Sequence, residues 1–196
     1  VEAFVSEARA IVNQRFPDIN NGDYTAVIDQ RSYERLEGVV ADARAKGATV
    51  IDLYTGPQAD ASRRLMPTRI VLGVTDDMEI MQREIFGPLL PIRTYQRREE
   101  VTSYVVERAR PLAFYVFSHD KSLQDFYLNN TISGGVTIND GLLHGSMHSL
   151  PFGGVGHSGM GHYHGHEGFH TFSKLRPVFK QSPWRSLNML MPPYAG

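Results

Sequence analysis

Residues 112–138 have the sequence LAFYVFSHDKSLQDFYLNNTISGGVTI, in which two apolar runs flank a more polar segment of helical length. The runs at 112–117 and 134–138 predict two β-strands, and the segment 120–130 between them predicts a short helix. A strand, a helix and a strand in succession are typical of a crossover that joins two parallel strands. This stretch therefore indicates an α/β fold.

The same alternation continues toward the amino terminus. The sequence predicts helices over residues 1–16, 29–47 and 97–108, and strands over 48–53, 69–74 and 89–95. A further helix is predicted between Thr75, as its N-cap, and Gly87-Pro88, which would stop it. After residue 172 we expect one more extended segment, 173–180, and a coil tail. The pattern as a whole predicts a mostly parallel, twisted sheet flanked by helices.

The composition narrows the functional classes. The chain has 196 residues, with 20 Lys and Arg against 21 Asp and Glu, so nothing in its charge favours nucleic acid or an anionic membrane. No apolar run reaches the roughly 18 residues of a spanning helix, and no signal peptide is visible, so we expect a cytoplasmic protein. The sequence has no cysteine, which excludes disulfides and a thiolate nucleophile within it. It begins at Val1, and we expect a piece of something longer.

Residues 149–172, SLPFGGVGHSGMGHYHGHEGFHTF, are rich in glycine and histidine. Glycine is used where the backbone turns with positive φ or approaches another group closely. Residues 154–159 match G-x-G-x-x-G, but a dinucleotide-binding fingerprint needs a strand before it, a helix opening on its last glycine and a later acid. That context is missing. We therefore expect an ordered, packed loop, with a phosphate-binding loop as the alternative.

Three histidines, His162, His164 and His166, alternate in the same stretch. On a strand their imidazoles would share one face, and three imidazoles can hold a zinc, copper or nickel ion. Gly161 and Gly165 weaken a strand, however, and a neutral histidine that caps a loop carbonyl is the commoner arrangement. No metal is assigned, and a histidine metal site stays an alternative.

Glu84 is the most informative single residue. In the predicted helix it lies in the last turn, where the helix dipole disfavours a carboxylate, and no cation lies three or four residues away. It is either solvated or accepts hydrogen bonds from ligand hydroxyls. Phe86 is either a core residue or a ring at a cleft edge. Asn139 and Asp140 follow a predicted strand, where open α/β sheets bind ligands, or simply form a turn.

The chain combines EIFGP at residues 84–88, GGV at 134–136 followed by Asn139-Asp140, and LPFGGVGHSGMG at 150–161 with YHG at 163–165. Together these motifs resemble the C-terminal catalytic region of the aldehyde dehydrogenase superfamily, over nearly the whole chain. The forms SLPFGG and YHG are similar to the class 3-like branch, and within it to bacterial coniferyl aldehyde dehydrogenases. The resemblance implies a catalytic domain over 1–172, an oligomerisation segment and tail over 173–196, and a homodimer.

The resemblance also implies roles for individual residues. Glu84 would hydrogen-bond the nicotinamide ribose of NAD or NADP, and Phe86 would pack beside it. The residues that would shape the aldehyde tunnel and support the catalytic loop are Asn139, Leu142, Gly145, Ser146 and Phe152, with Tyr163 and His164 near the tunnel mouth. The glycine-rich loop would then be a packing element.

The mechanism of that family needs residues that this sequence lacks. A cysteine thiolate attacks the aldehyde, hydride passes to the nicotinamide, and a glutamate-activated water hydrolyses the thioester. The resemblance places these residues and the dinucleotide-binding domain upstream of Val1, so no catalytic residue is predicted here and the piece alone is expected to be inactive. The expected reaction of the longer protein is oxidation of a hydrophobic or aromatic aldehyde, such as coniferyl aldehyde. The alternatives are a non-enzymatic binding or oligomerisation module of the same fold and a histidine-cluster metal protein.

Overall fold

The computed structural model describes residues 1–183 and 192, in two compact units that divide between Gln96 and Arg97. The first unit contains α1 (Glu2–Arg15), α2 (Gln30–Ala45), β1 (Thr49–Asp52), β2 (Arg69–Leu72), α3 (Glu79–Gln82) and β3 (Leu89–Ile92). The second contains α4 (Arg98–Val106), β4 (Ala113–Val116), α5 (Lys121–Asn130), β5 (Gly135–Ile138), α6 (Leu143–Ser146) and α7 (Gly165–Thr171). Short 3-10 turns occur at Ala61–Arg63 and Gly156–Ser158.

The sheet of the first unit has the strand order β1-β2-β3. Strand β1 pairs antiparallel with β2, with Thr49 opposite Leu72, and β2 pairs parallel with β3, with Arg69 opposite Leu89. Because β2 and β3 run parallel, residues 73–88 must carry the chain from the carboxyl end of one strand to the amino end of the other. This connection contains α3 and ends in the EIFGP motif.

Helix α2 supplies much of the core of the first unit. The Asp29 side chain caps its N-terminus by accepting a hydrogen bond from the Ser32 N–H at 2.7 Å. The apolar stripe of the helix packs on the sheet and on the connection that contains α3. The buried residues of this cluster include Leu36, Val39, Val40 and Ala43 of α2, together with Met66, Val71, Met78, Ile80 and Leu89. The predicted helix, its cap and its inward face are all confirmed.

Helix α1 is tied to the end of β1 through one asparagine. The Asn13 Nδ2 donates to the Leu53 carbonyl at 2.8 Å, and its Oδ1 accepts from the Thr55 N–H at 2.8 Å. Nearby, Val12 and Phe16 pack against a second, smaller core cluster. The helix predicted over residues 1–16 is therefore confirmed.

In the second unit, β4 and β5 pair in parallel, with Ala113 opposite Gly135, and α5 connects them. Asp120 caps α5 by accepting a hydrogen bond from the Ser122 N–H at 2.9 Å. The strand, helix and strand predicted for residues 112–138 are confirmed. Of the three strand pairings among the described residues, two are parallel, which agrees with the predicted fold class although the strands belong to two sheets.

The start of the helix predicted from Thr75 is wrong. Helix α3 begins only at Glu79, with Met78 as its N-cap residue. The Thr75 hydroxyl donates to the Asp77 carboxylate at 2.5 Å instead of capping a helix. The Glu79 N–H is satisfied from outside the segment, by the Asp42 carboxylate of α2 at 2.8 Å, so a long-range contact replaces the predicted local cap.

Residues 174–183 form neither helix nor strand, and their apolar side chains Leu175, Val178 and Phe179 are exposed. The coil predicted for the tail falls mostly on residues 184–191 and 193–196, which lie outside the described residues. The assignment of residues 173–196 to oligomerisation stays a prediction. No helix within the described residues is both long and apolar enough to cross a bilayer.

Candidate functional site

The first unit exposes a turn at residues 84–86, between α3 and β3. Arg83 ends α3 with an extended backbone (φ −145°, ψ 160°), so Glu84 lies outside the helix and its predicted last-turn position is wrong. The Glu84 side chain is exposed, and among the described residues no hydrogen bond or ion pair reaches its carboxylate. Both carboxylate oxygens are therefore available to accept hydrogen bonds from a ligand.

Phe86 has a backbone conformation that is rare for a bulky residue. Its φ is +48°, in the left-handed region, and its side chain is 78% exposed. Such a conformation costs about 1–3 kcal/mol and persists only where the surrounding structure imposes it, often at functional sites. The structure thus decides between the two predicted roles: Phe86 is an exposed ring and not a core residue.

The inner side of this turn is anchored on α2. The Arg35 Nη2 donates to the Ile85 carbonyl at 2.7 Å, and the Ile85 side chain packs against the core. Gly87 faces Leu36, and a Cβ at this position would lie 2.5 Å from the Leu36 Cδ1. Only glycine therefore lets the backbone approach the helix this closely. The turn is held on one side and presents Glu84 and Phe86 on the other.

Asp42 holds the other end of the same segment. Its carboxylate accepts hydrogen bonds from the Lys46 ammonium and from the Glu79 N–H, each at 2.8 Å. These two hydrogen bonds hold the pKa of Asp42 below its ordinary value, and the bond from Lys46 contributes most. Ionised Asp42 thus fixes the start of α3, and Arg35 fixes the turn that follows it.

In the second unit, Asn139 lies where β4 and β5 end. Its N–H donates to the Val116 carbonyl at 2.8 Å, and its Oδ1 accepts from the Ser118 N–H at 2.8 Å. Its φ is +57°, which asparagine tolerates better than most residues. Asn139 therefore joins the carboxyl ends of the two parallel strands, at the edge where open α/β sheets place ligands. Asp140 follows it, and its Oδ1 accepts from the Gly141 N–H, as in a turn.

Leu142, Gly145 and Ser146 lie on or beside the short helix α6. Leu142 precedes the helix with φ +65° and a side chain that is 77% exposed. Gly145 faces the Phe152 ring, which a Cβ would approach to 3.1 Å. The Ser146 hydroxyl donates to the Leu143 carbonyl at 2.9 Å, so it is used within the turn. The exposed side chain of Leu142 leaves an apolar surface after β5.

Phe152, Tyr163 and His164 form an aromatic cluster. An isolated antiparallel bridge joins Phe152 and Tyr163, with backbone hydrogen bonds of 2.8 and 2.9 Å. The Phe152 ring lies 5.9 Å from the Tyr163 ring and 6.1 Å, in a stacked arrangement, from the His164 ring. His164 has φ +81°, and its Nδ1 is buried without a hydrogen-bond partner among the described residues. Three residues predicted to serve the aldehyde tunnel are thus brought together by direct contact.

The glycine-rich loop packs on itself and on the start of β5. A Cβ at Gly134 would collide with the Gly153 carbonyl oxygen, and a Cβ at Gly153 would collide with that of Gly161. These glycines are required by close backbone approach. The predicted role as a packing element is therefore supported, and the phosphate-binding alternative gains no support.

The alternating histidines do not lie on a strand. His164 precedes α7, and His166 lies within that helix, so the alternative of one shared strand face is not realised. Instead His166 and His170 pair through their Nε2 atoms at 2.9 Å, one turn apart on α7, and His162 approaches Glu167 at 3.4 Å. In the part of the chain that the structure describes, no group of three or more His, Cys, Asp or Glu residues could hold a metal ion.

Sequence reasoning missed two polar residues that support these surfaces. Arg35 flanks the apolar stripe of α2, and no local pattern identifies it, because the carbonyl it binds belongs to Ile85, 50 residues later in the chain. His144, on α6, is 8% exposed. Its Nδ1 hydrogen-bonds the Thr137 hydroxyl at 2.8 Å, and its ring lies 5.9 Å from that of Phe152. No local pattern identifies His144, because its contacts come from a neighbouring strand and from the loop.

Comparison with known proteins gives a family match over residues 1–178, to the aldehyde dehydrogenase family. A probable coniferyl aldehyde dehydrogenase of Pseudomonas aeruginosa is 50% identical over 99% of this chain, and one of Caulobacter vibrioides is 48% identical over 99%. The coniferyl aldehyde dehydrogenase of a Pseudomonas species is 42% identical over 97%. The chain spans 40–41% of the length of these relatives.

Solved structures show the same likeness. The substrate-bound state of Staphylococcus aureus AldH aligns with a TM-score of 0.82 and 34% identity, over 100% of this chain and 42% of the other. A betaine aldehyde dehydrogenase of Staphylococcus aureus, solved in complex with NAD+, aligns with a TM-score of 0.65 and 25% identity, over 81% of this chain and 34% of the other.

Proposed function

Because the chain belongs to the aldehyde dehydrogenase family, we propose that it is the C-terminal portion of a NAD(P)-dependent dehydrogenase for hydrophobic or aromatic aldehydes. The observation that carries the proposal is the turn at residues 84–86, which presents an unpaired carboxylate beside a strained, exposed ring. Under this proposal a longer protein, the complete enzyme, contains this chain.

The residues of the turn fit a nicotinamide cofactor. The Glu84 carboxylate can accept hydrogen bonds from two ribose hydroxyls at once, because both of its oxygens are unused by the described residues. The Phe86 ring, held outward by its backbone, offers a flat apolar face against which the nicotinamide can pack. The cofactor, when bound, supplies the acceptor for the hydride that leaves the aldehyde carbon. Nothing in the turn distinguishes NAD from NADP.

The second unit offers surfaces that suit the aldehyde. Phe152 and Tyr163 bring two aromatic rings into edge contact, and His164 stacks on Phe152. Leu142 adds an exposed apolar side chain. Aromatic and aliphatic surface of this kind favours an aromatic aldehyde over a small, charged one. Coniferyl aldehyde is the substrate class we propose, in agreement with the names of the relatives that are 42–50% identical.

The roles proposed for the remaining tunnel residues are structural. Asn139 fixes the ends of β4 and β5, and Gly145 admits the Phe152 ring. Ser146 closes the turn of α6 through its hydroxyl. These residues would shape the tunnel wall without touching the reacting carbonyl. The covalent steps, a thiohemiacetal and then a thioester, require a cysteine outside this chain, which has none.

The alternative is a non-enzymatic module of the same fold that binds or assembles without turnover. Such a module would use the fold without a cysteine thiolate, and this sequence contains no cysteine. The homodimer, the cytoplasmic location and the division into residues 1–172 and 173–196 stay predictions. A histidine-cluster metal protein is not proposed, because the strand on which it depended does not form.

The cofactor site is tested by titrating the complete enzyme with NADH and following nicotinamide fluorescence. Glu84→Gln keeps the size of the side chain but replaces charge-assisted hydrogen bonds, which contribute about 1.5–3 kcal/mol. We expect the Kd for NADH to rise roughly tenfold or more, since each factor of ten corresponds to about 1.4 kcal/mol. The matched control is Glu7→Gln, an exposed glutamate of α1, which should leave the Kd unchanged. Equal Kd values for the two variants would mean that Glu84 is a solvated surface residue with no role in binding the cofactor.

A further inference from the structure

Helix α2 contacts the segment from α3 to the EIFGP turn at both of its ends. The Asp42 carboxylate accepts the Glu79 N–H at 2.8 Å, and the Arg35 guanidinium donates to the Ile85 carbonyl at 2.7 Å. Arg35 and Asp42 are seven residues apart, about two helical turns, so both project from the same face of the helix. Between these two polar contacts the segment has little freedom to shift along α2.

The Arg35 contact lies next to the strained residue. The carbonyl it binds belongs to Ile85, which immediately precedes Phe86 in the chain. The φ of Phe86 is set by rotation about the bond that follows this peptide group, so fixing the Ile85 carbonyl fixes one side of that rotation. Gly87, packed closely against Leu36, fixes the other side. The positive φ of Phe86 is therefore imposed from α2.

The environment of Arg35 uses only part of its guanidinium. Its Nη2 makes the bond to Ile85, whereas its Nη1 is buried and has no hydrogen-bond partner among the described residues. Burying an unpaired donor is unfavourable, so an arginine at this place weakens the local packing. A local cost of this kind is expected where a residue serves a functional site.

We propose that Arg35 is a positioning residue for the cofactor-binding turn, holding the Ile85 carbonyl so that Glu84 and Phe86 face the ligand. The inference rests on the proposed function, because it assumes that the turn binds the nicotinamide portion of the cofactor. Among the described residues, the hydrogen bond from Arg35 to the turn goes to the Ile85 carbonyl, so Arg35 acts on Glu84 and Phe86 through the backbone.

The test uses two substitutions in the complete enzyme. Arg35→Met keeps the length and apolar contacts of the side chain but removes every donor, and Arg35→Lys keeps the charge with a single ammonium. The matched control is Arg44→Met, an exposed arginine on the same helix. Melting temperatures are measured first, so that all later comparisons are made where each variant is folded. If the methionine variant does not fold, the lysine variant carries the same comparison.

Two readouts distinguish positioning from general stability. In the enzyme without cofactor, hydrogen–deuterium exchange over residues 79–88 should accelerate in Arg35→Met and remain unchanged in Arg44→Met. The KM for the cofactor and the Kd for NADH should rise about tenfold, equivalent to about 1.4 kcal/mol, while the KM for the aldehyde stays the same. For Arg35→Lys, the exchange rate over residues 79–88, the KM for the cofactor and the Kd for NADH should lie between those of Arg35→Met and those of the unsubstituted enzyme.

The inference is overturned if exchange over residues 79–88 and the Kd for NADH match those of the Arg44→Met control. A parallel titration of Glu84→Gln separates this failure from that of the proposed function. If Glu84→Gln weakens NADH binding and the Arg35 variants do not, only the positioning role is wrong. If Glu84→Gln also binds NADH normally, the cofactor site itself is wrong, and with it the inference.

Discussion

Because the backbone of Phe86 is left-handed, we expect glycine to be more stable than alanine at this position, the reverse of the usual order. Substitution by alanine removes the ring but leaves a Cβ at φ +48°, whereas substitution by glycine removes both the ring and the steric conflict. A left-handed conformation costs a residue with a Cβ roughly 1–2 kcal/mol. Glycine loses about 0.5–1 kcal/mol relative to alanine at an ordinary position because of its greater freedom in the unfolded chain. We therefore expect Phe86→Gly to be the more stable variant, by about 1 kcal/mol.

The assay is urea denaturation of both variants of the complete enzyme, with midpoints compared at equal m-values. Because the Phe86 ring is 78% exposed, its loss should affect both variants alike and only slightly. Phe4, 53% exposed on α1, provides the matched control, since there glycine should be less stable than alanine by about 1 kcal/mol. If the glycine variant is less stable than the alanine variant at both position 86 and position 4, the imposed left-handed conformation of Phe86 is refuted.

Two further predictions concern the supports of the site. The pKa of Asp42 is lowered, chiefly by its hydrogen bond from Lys46, so its contribution to stability is present above the unfolded pKa and is lost as pH falls through the folded pKa. In Asp42→Asn, melting temperatures measured across the acid range should therefore fall less steeply than in the unsubstituted enzyme; equal slopes would exclude this role. Gly153→Ala should lower the melting temperature strongly or prevent folding, because the added Cβ would meet backbone atoms. Gly141→Ala is the control and should change the melting temperature little, because nothing lies within 4 Å of its added Cβ. Equal changes in the two variants would contradict the packing described for the loop.

The elements that the sequence predicted well are those whose signals are local. The buried stripe of α2 and its Asp29 cap lie within a few residues of one another, and both are found as predicted. The strand–helix–strand unit over residues 112–138 likewise depends on short apolar runs separated by a capped helix. Periodicity and capping are sufficient in such segments because neighbouring residues supply the deciding contacts.

The failures occur where a distant residue decides the conformation. Helix α3 was predicted too long at both ends: Asp42, 37 residues away from Glu79 in the chain, holds its start, and Arg35, 50 residues away from Ile85, holds the turn that follows it. Helix α7 was not predicted, since Gly165 and Gly168 lower its helix propensity; Gly168 lies close to the Tyr163 backbone, which a Cβ at this position would approach to 3.4 Å. Tertiary packing overrides propensity in both segments.

The backbone conformation of the candidate site could not be predicted from local sequence patterns, as its positive φ angles show. Of the five non-glycine residues with positive φ among the described residues, four had been assigned to the site through the resemblance: Phe86, Asn139, Leu142 and His164. No sequence pattern predicts such angles at phenylalanine or leucine, because the cost is met by contacts elsewhere in the fold. Their coincidence with the assigned residues is an independent structural reason to regard these positions as functional.

We propose that this chain completes a dehydrogenase that oxidises an aromatic aldehyde. The most direct test of this claim is to supply the complete enzyme with coniferyl aldehyde and NAD+ or NADP+, and to record formation of the reduced cofactor by absorbance. We predict aldehyde-dependent reduction of at least one of the two cofactors, with release of the carboxylic acid. A folded protein that binds NADH but reduces neither cofactor, with this or any other hydrophobic aldehyde, would contradict the claim and favour the non-enzymatic binding module.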